Sequence, residues 1–162
     1  MKIRDLMTKQ VASVRATDST AVAARLMWDC DCGAVPVLDD EGRVIAMITD
    51  RDICMASLMR DRAPSAIPVS EAMSRELQFC EPDDNVSAAE QLMRAHQVRR
   101  VPIVDRERRP LGMLSLADIV RATDRPKGRG ARQVPPDEVA GTLAHICAPP
   151  TRDANPTTTA AF

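Results

Sequence analysis

The chain repeats itself. The stretch Ile45-Ala46-Met47-Ile48-Thr49-Asp50-Arg51-Asp52-Ile53 returns 66 residues later as Leu111-Gly112-Met113-Leu114-Ser115-Leu116-Ala117-Asp118-Ile119. The same shift superposes Met7 on Met73, Asp18 on Asp84, Leu26-Met27 on Leu92-Met93 and Val35-Pro36 on Val101-Pro102, with no gap from Asp5 to Ala56. Asp39 and Arg43 likewise meet Asp105 and Arg109. A duplication of this kind restricts the fold to two copies of one supersecondary unit, each burying its apolar surface partly against the other.

Each copy reads as β-α-β-β-α. Val11–Arg15 and Leu77–Glu81 are short strand candidates, and Ser19 and Asn85 are N-caps for the helices that follow. The first of these helices carries Val22, Leu26, Met27 and Cys30 on one side; the second carries Val86, Ala89, Leu92, Met93 and His96. Strands follow at Ala34–Leu38 and Val44–Thr49, matched by Val101–Val104 and Pro110–Ser115. Asp39-Asp40-Glu41-Gly42 has turn chemistry. Pro36 and Pro102 cannot donate to a ladder, which predicts an edge or a break there. Helices rich in Ile, Ala, Leu and Val begin after Thr49 and Ser115.

The fold class is therefore α/β (α+β), with a first unit over 1–62, a second over 63–124 and a tail over 125–162. The tail is rich in Pro, Gly and Thr and reads as mostly disordered, apart from a short helix at 136–146 that places Val139, Leu143 and Ile146 on one side.

At 44% hydrophobic and 2% aromatic, with one Trp, no Tyr and nine Met, the core is aliphatic and sulfur-rich. The net charge of −1 gives no overall attraction to nucleic acid or anionic membrane. Arg94, Arg99, Arg100, Arg106, Arg108 and Arg109 concentrate charge in the second copy, but few aromatics are present to stack on single-stranded bases. No apolar run approaches the ~20 residues that span a bilayer, and no signal peptide is evident, so a cytoplasmic protein is expected. Five cysteines, odd in number and mostly within apolar patterns, read as buried hydrophobes or free thiols. Cys30-x-Cys32 lacks a complete ligand set for zinc, with only His96 and His145 as imidazoles, and no metal site is expected. No catalytic arrangement can be argued from spacing, and the chain is not expected to be an enzyme.

The two strand-to-helix junctions carry the chemistry. Thr49 with Asp52, and Ser115 with Asp118, put a hydroxyl and a carboxylate at a helix N-terminus, where free N–H groups and the dipole favour phosphate. A carboxylate can also take two hydrogen bonds from a vicinal diol, as in dinucleotide-binding folds. The same pattern is that of a capping box, which stabilises a helix start by ~1 kcal/mol and binds nothing.

The β-α-β-β-α order, the duplication and these junctions together resemble a tandem pair of CBS domains, the Bateman module. The carrying residues are Gly33-Ala34-Val35-Pro36-Val37 and Ile48-Thr49-Asp50-Arg51-Asp52-Ile53 in the first copy. In the second they are Val98-Arg99-Arg100-Val101-Pro102-Ile103 and Gly112-Met113-Leu114-Ser115-Leu116-Ala117-Asp118-Ile119. The match covers residues 3–123, as in a stand-alone CBS-pair protein.

The resemblance implies a pseudo-two-fold axis, two clefts for an adenosine-containing regulatory ligand (AMP, ADP, ATP or S-adenosylmethionine), and pairing into a disk-shaped homodimer. It assigns phosphate contact to Thr49 and Ser115, ribose contact to Asp52 and Asp118, and a basic phosphate partner to Arg100 beside Arg99. The first copy departs from the pattern with Ala46 in place of a glycine, an added Asp50, and Gly33-Ala34 where the second copy has its arginines. A site around Ser115 and Asp118 is the better expectation. The competing reading is a constitutive dimeric interaction scaffold with no small-molecule ligand, serving an unidentified protein partner.

Overall fold

The computed structural model describes residues 1–74, 76–123 and 135–148. Each repeat forms a small sheet covered by two helices, and the repeats are related by a pseudo-two-fold axis. In the first repeat β1 (Val14–Arg15) pairs parallel with β2 (Ala34–Leu38), which pairs antiparallel with β3 (Val44–Thr49). In the second, β4 (Arg100–Val104) pairs antiparallel with β5 (Pro110–Ser115), and the counterpart of β1 shrinks to one parallel bridge, Cys80 to Ile103. The first strands are thus shorter than the sequence predicts.

Four helices complete the repeats: α1 (Thr20–Asp29) and α2 (Asp50–Arg60), then α3 (Val86–His96) and α4 (Leu116–Thr123). A fifth, α5 (Pro136–Ile146), falls where the tail's apolar spacing places a helix. The remainder of the tail, including the basic stretch at 125–132, lies outside the described residues.

Pro36 and Pro102 do not end their strands, but the register of each ladder shifts just beyond them, between Val37 and Leu38 and between Ile103 and Val104. Pro102 lies on an edge strand, as expected. Each proline sits within a paired strand, opposite Met47 and Met113 respectively. The Pro102 carbonyl accepts from Cys80 N–H at 3.2 Å, so its ring nitrogen points to the same edge, beyond the point where the short first strand begins. No donor is needed there, and the ladder continues past the ring.

What joins the repeats is an exchange of their leading segments. The 3-10 turn Ile3–Asp5 packs against the second repeat, and its counterpart Val69–Glu71 packs against the first. Ile3 N–H donates to the Asp84 carbonyl at 3.0 Å, and Val69 N–H donates to that of Asp18 at 2.8 Å. Thr8 exchanges two bonds of 2.9 Å with Met113, and Ser74 bonds Met47 on both sides, at 2.8 Å through its own N–H and 3.0 Å through its Oγ. Ile3 and Val69 are both fully buried, in clusters that otherwise belong to the opposite repeat.

The exchange also explains the helix starts. Ser19 and Asn85 are the N-caps, but neither side chain makes a capping bond. Thr20 N–H instead donates to the Ile67 carbonyl at 2.8 Å and Val86 N–H to that of Met1 at 3.1 Å, so crossing backbone takes over part of the cap's work.

The buried face of α1 is Thr20, Ala23 and Met27; Val22 and Cys30, placed on that face by the sequence pattern, are exposed. Among the cysteines only Cys80 is buried, and burial, with the Asp84 carboxylate adding to it, pushes its thiol up to about 11. Cys30, Cys54 and Cys147 are exposed free thiols, which fits the second of the two readings and not that of small core residues. Gly42 and Arg108 occupy equivalent turn positions at φ of 78° and 63°; the first is a residue suited to the left-handed region and the second is not. The Arg108 carbonyl accepts from Val44 N–H at 2.8 Å, which ties the second repeat's turn to the first repeat's sheet.

Candidate functional site

The two junctions are alike to within a few tenths of an ångström. Thr49 is the N-cap of α2, and its Oγ1 accepts from Asp52 N–H at 3.1 Å. Asp52 Oδ2 accepts in return from Thr49 N–H at 2.9 Å and from the Thr49 hydroxyl at 2.7 Å. In the second repeat Ser115 Oγ accepts from Asp118 N–H at 3.2 Å, and Asp118 Oδ2 accepts from Ser115 N–H at 2.8 Å and from its hydroxyl at 2.5 Å. Both are therefore capping boxes. All of these bonds use one carboxylate oxygen, Oδ2, and the box fixes the direction of the other.

That second oxygen distinguishes the two sites. Among the described residues no protein group donates to Asp52 Oδ1, whereas Asp118 Oδ1 accepts from Arg121 one turn along α4. Arg121 was not singled out from the sequence. Its spacing of three residues from Asp118 on a helix is the signal that would have found it.

The residue after each N-cap differs as well. Asp50 opens α2, is exposed, and turns its Oδ1 back to accept from Arg51 N–H at 2.7 Å. A carboxylate thus already occupies the electropositive end of that helix. Its counterpart Leu116 is buried and apolar. Its N–H donates to the Arg99 carbonyl at 2.9 Å, as Asp50 N–H donates to that of Gly33 at 3.2 Å.

Arg99 and Arg100 part company. Arg99 is exposed and meets the second junction through its carbonyl. Arg100 reaches across to the first repeat: a Cβ built on Gly33 would stand 3.7 Å from Arg100 Nη1 and 3.0 Å from Asp50 Oδ2. The absence of a side chain at Gly33 is what leaves room for this approach. The structure therefore brings Thr49, Asp52 and Arg100 to one region and Ser115, Asp118 and Arg121 to another, with Asp50 and Arg100 both close to Gly33 in the first.

Gly112 has a separate reason. A Cβ there would lie 2.7 Å from Met7 Sδ and 2.9 Å from the Thr8 carbonyl oxygen, so the crossing N-terminal segment can pass only over a bare backbone.

The CBS domain family description matches this chain twice, over residues 3–59 and 69–125. The chain belongs to the CBS-domain family, as a tandem pair. Each matched segment begins at the residue, Ile3 or Val69, that crosses to the opposite repeat. This CBS pair is 40% identical over 117 residues to CBS domain-containing protein YhcV of Bacillus subtilis, covering 72% of this chain and 81% of that protein. It is 30% identical over 146 residues to Hypoxic response protein 1 of Mycobacterium tuberculosis, covering 90% and 94%.

Among solved structures, Hypoxic Response Protein I with two coordinated zinc ions superposes with a TM-score of 0.70 at 30% identity, over 78% of this chain and 100% of that one. A CBS domain pair in complex with 5′-methylthioadenosine and S-adenosyl-L-methionine superposes with a TM-score of 0.67 at 24% identity, over 75% and 94%. Among the described residues of this CBS pair, no group of three or more His, Cys, Asp or Glu is placed to hold a metal ion. No described helix is long and apolar enough to cross a membrane.

Proposed function

We propose that this CBS pair is a regulatory module, not a catalyst, that binds an adenosine-containing ligand at its strand-to-helix junctions and passes occupancy on to a partner. The observation that carries this reading is the matched geometry of the junctions: in each, a hydroxyl at a helix N-terminus is locked to a carboxylate through a single oxygen. That arrangement suits phosphate at the helix end and a ribose diol at the carboxylate. A pair of this fold holds 5′-methylthioadenosine and S-adenosyl-L-methionine, which supports the ligand class.

The candidate contacts are Thr49, Asp52 and Arg100 at the first junction and Ser115, Asp118 and Arg99 at the second. The second is the stronger candidate for a phosphate, because Leu116 puts no negative charge at its helix end where the first has Asp50. Regulation follows if the ligand binds one arrangement of the repeats more tightly than another, since occupancy then shifts the balance between them.

The test is a melting-temperature series for wild type and Asp118→Ala with AMP, ADP, ATP, S-adenosylmethionine and NAD, each variant referred to its own ligand-free value. A ligand at ~100 times its Kd stabilises the fold by ~2.7 kcal/mol, and a shift lost in Asp118→Ala supports the assignment. No shift with any ligand, from a folded sample, overturns it and leaves the interaction-scaffold reading.

A further inference from the structure

α5 closes over the second repeat, packing on both α3 and α4. Little apolar surface holds it there. Val139 is buried and Ile146 partly buried in the second repeat's core, but Leu143 is 40% exposed. A helix of 11 residues is marginal by itself in water, and Gly141 in its interior weakens it further. α5 is therefore helical because it is docked, and it can open while the body stays folded.

The docked interface turns on one hydroxyl. Thr142 is fully buried, and its Oγ1 accepts from Arg94 Nε at 2.8 Å. The same oxygen lies 2.8 Å from the Glu138 carbonyl oxygen and 3.3 Å from Glu90 Oε1. A hydroxyl has one hydrogen to give. Given to the Glu138 carbonyl, it leaves an ionised Glu90 facing an oxygen that offers it nothing; given to Glu90, it is lost to the carbonyl. A proton on Glu90 removes the conflict. The neutral carboxyl donates to Thr142 Oγ1, Thr142 donates to the Glu138 carbonyl, and Arg94 keeps its acceptor. A half-satisfied buried network becomes a complete one.

The charges around Glu90 act in the same direction on balance. Glu90 is 2% exposed and forms no salt bridge among the described residues. Arg94, one turn along α3, sends its guanidinium to α5, where Nη2 donates to the Glu138 carbonyl at 3.0 Å. α5 brings the Glu138 carboxylate, and α4 contributes only Leu116, Ile119 and Ala122 to the core. Burial first, and then Glu138, push the Glu90 carboxyl up, against the pull of Arg94 and Thr142.

We propose that α5 is a proton-linked strap, closed over the second repeat while Glu90 holds a proton and released as Glu90 ionises, which uncovers the helix that carries Asp118. Closure is then complete below the ordinary carboxylate range and is lost as pH rises through the raised value. The first repeat has no counterpart, because Ala24 and Trp28 stand 66 residues before Glu90 and Arg94. The strap is independent of the ligand assignment above.

The test is amide hydrogen exchange of the full chain by NMR, each rate divided by its intrinsic rate at the same pH. His145, the other group of α5 that titrates near neutrality, is replaced by His145→Gln throughout. Protection at Leu143, Ala144 and Ile146 is expected to lie below that of β2 and β3 and to fall about fivefold or more between about pH 5 and 8. With Glu90→Gln added, whose amide donates to Thr142 Oγ1 at any pH, it is expected to stay flat. With Thr142→Val added, α5 is expected to be open at both ends of the range. Protection of β2 and β3 in the same spectra shows that each variant is folded. The proposal is overturned if α5 exchanges only together with the body, if its protection does not change with pH, or if the slope survives Glu90→Gln. Thr142→Val with undiminished protection overturns it as well.

Discussion

Replacing Ile3 by alanine tests whether the repeats are built by exchange. Ile3 is fully buried, and the core cluster it joins, with Cys80, Val86, Met93, Ile103 and Ile119, belongs to the second repeat. Removing three carbons from such a site forfeits their transfer free energy and leaves a cavity, at about 2–4 kcal/mol. That is a large share of a total stability on the order of 5–15 kcal/mol. A chain of this size loses roughly 2–4 °C per kcal/mol, so the melting temperature should fall by about 4–16 °C. Urea unfolding gives the free energy, and hydrogen exchange gives its location. Faster exchange is expected at Val86, at Met113 and along α3 and α4. A loss below about 1 kcal/mol, or faster exchange centred on β2, β3 and α1, would refute the exchange as the source of Ile3's burial.

Gly112→Ala should destabilise by about 1–3 kcal/mol through overpacking, because the added Cβ meets Met7 Sδ at 2.7 Å and the Thr8 carbonyl oxygen at 2.9 Å; denaturant titration measures it. Burial first, and then the Glu138 carboxylate, raise the pKa of Glu90, while Arg94 and Thr142 pull it down. The folded state therefore holds this proton more tightly than the unfolded chain. Stability contributed by Glu90 is full below the ordinary carboxylate range and is lost as pH rises through the raised value. Glu90→Gln should flatten that slope in melts between about pH 4 and 8. Asp50→Asn removes a charge beside Arg100 and at the α2 N-terminus, so a phosphate-bearing ligand should bind the first junction up to about fivefold more tightly, with the second unchanged. Calorimetry resolves the two sites.

Much of this architecture is written in local pattern. The duplication, the boundaries of β2, β3 and β5, the helix starts at Thr49 and Ser115 and the helix at 136–146 follow from alternation, turn chemistry and capping, all of which act over a few residues. The pairings Thr49 with Asp52 and Ser115 with Asp118 are legible for the same reason, since a capping box is a contact across three residues.

Other features depended on residues far apart in the chain, and only the tertiary structure decided them. Ile3 and Val69 are apolar residues in short leading segments, and nothing nearby says that each is buried in the opposite repeat. Ser19 and Asn85 are good caps by type, yet crossing backbone meets the first N–H of each helix. Val22 and Cys30 fit an apolar stripe but face outward, because the sheet takes only the narrower face of Ala23 and Met27. Arg100 adjoins Ser115 in the strand pairing, yet its guanidinium extends to Gly33 of the other repeat, where Asp50 also lies close. The sequence determined the unit and its two capped junctions; the packing of one repeat on the other decided which distant side chains lie near them. Burial and long-range packing are properties of the assembled pair, and no window of a few residues contains them.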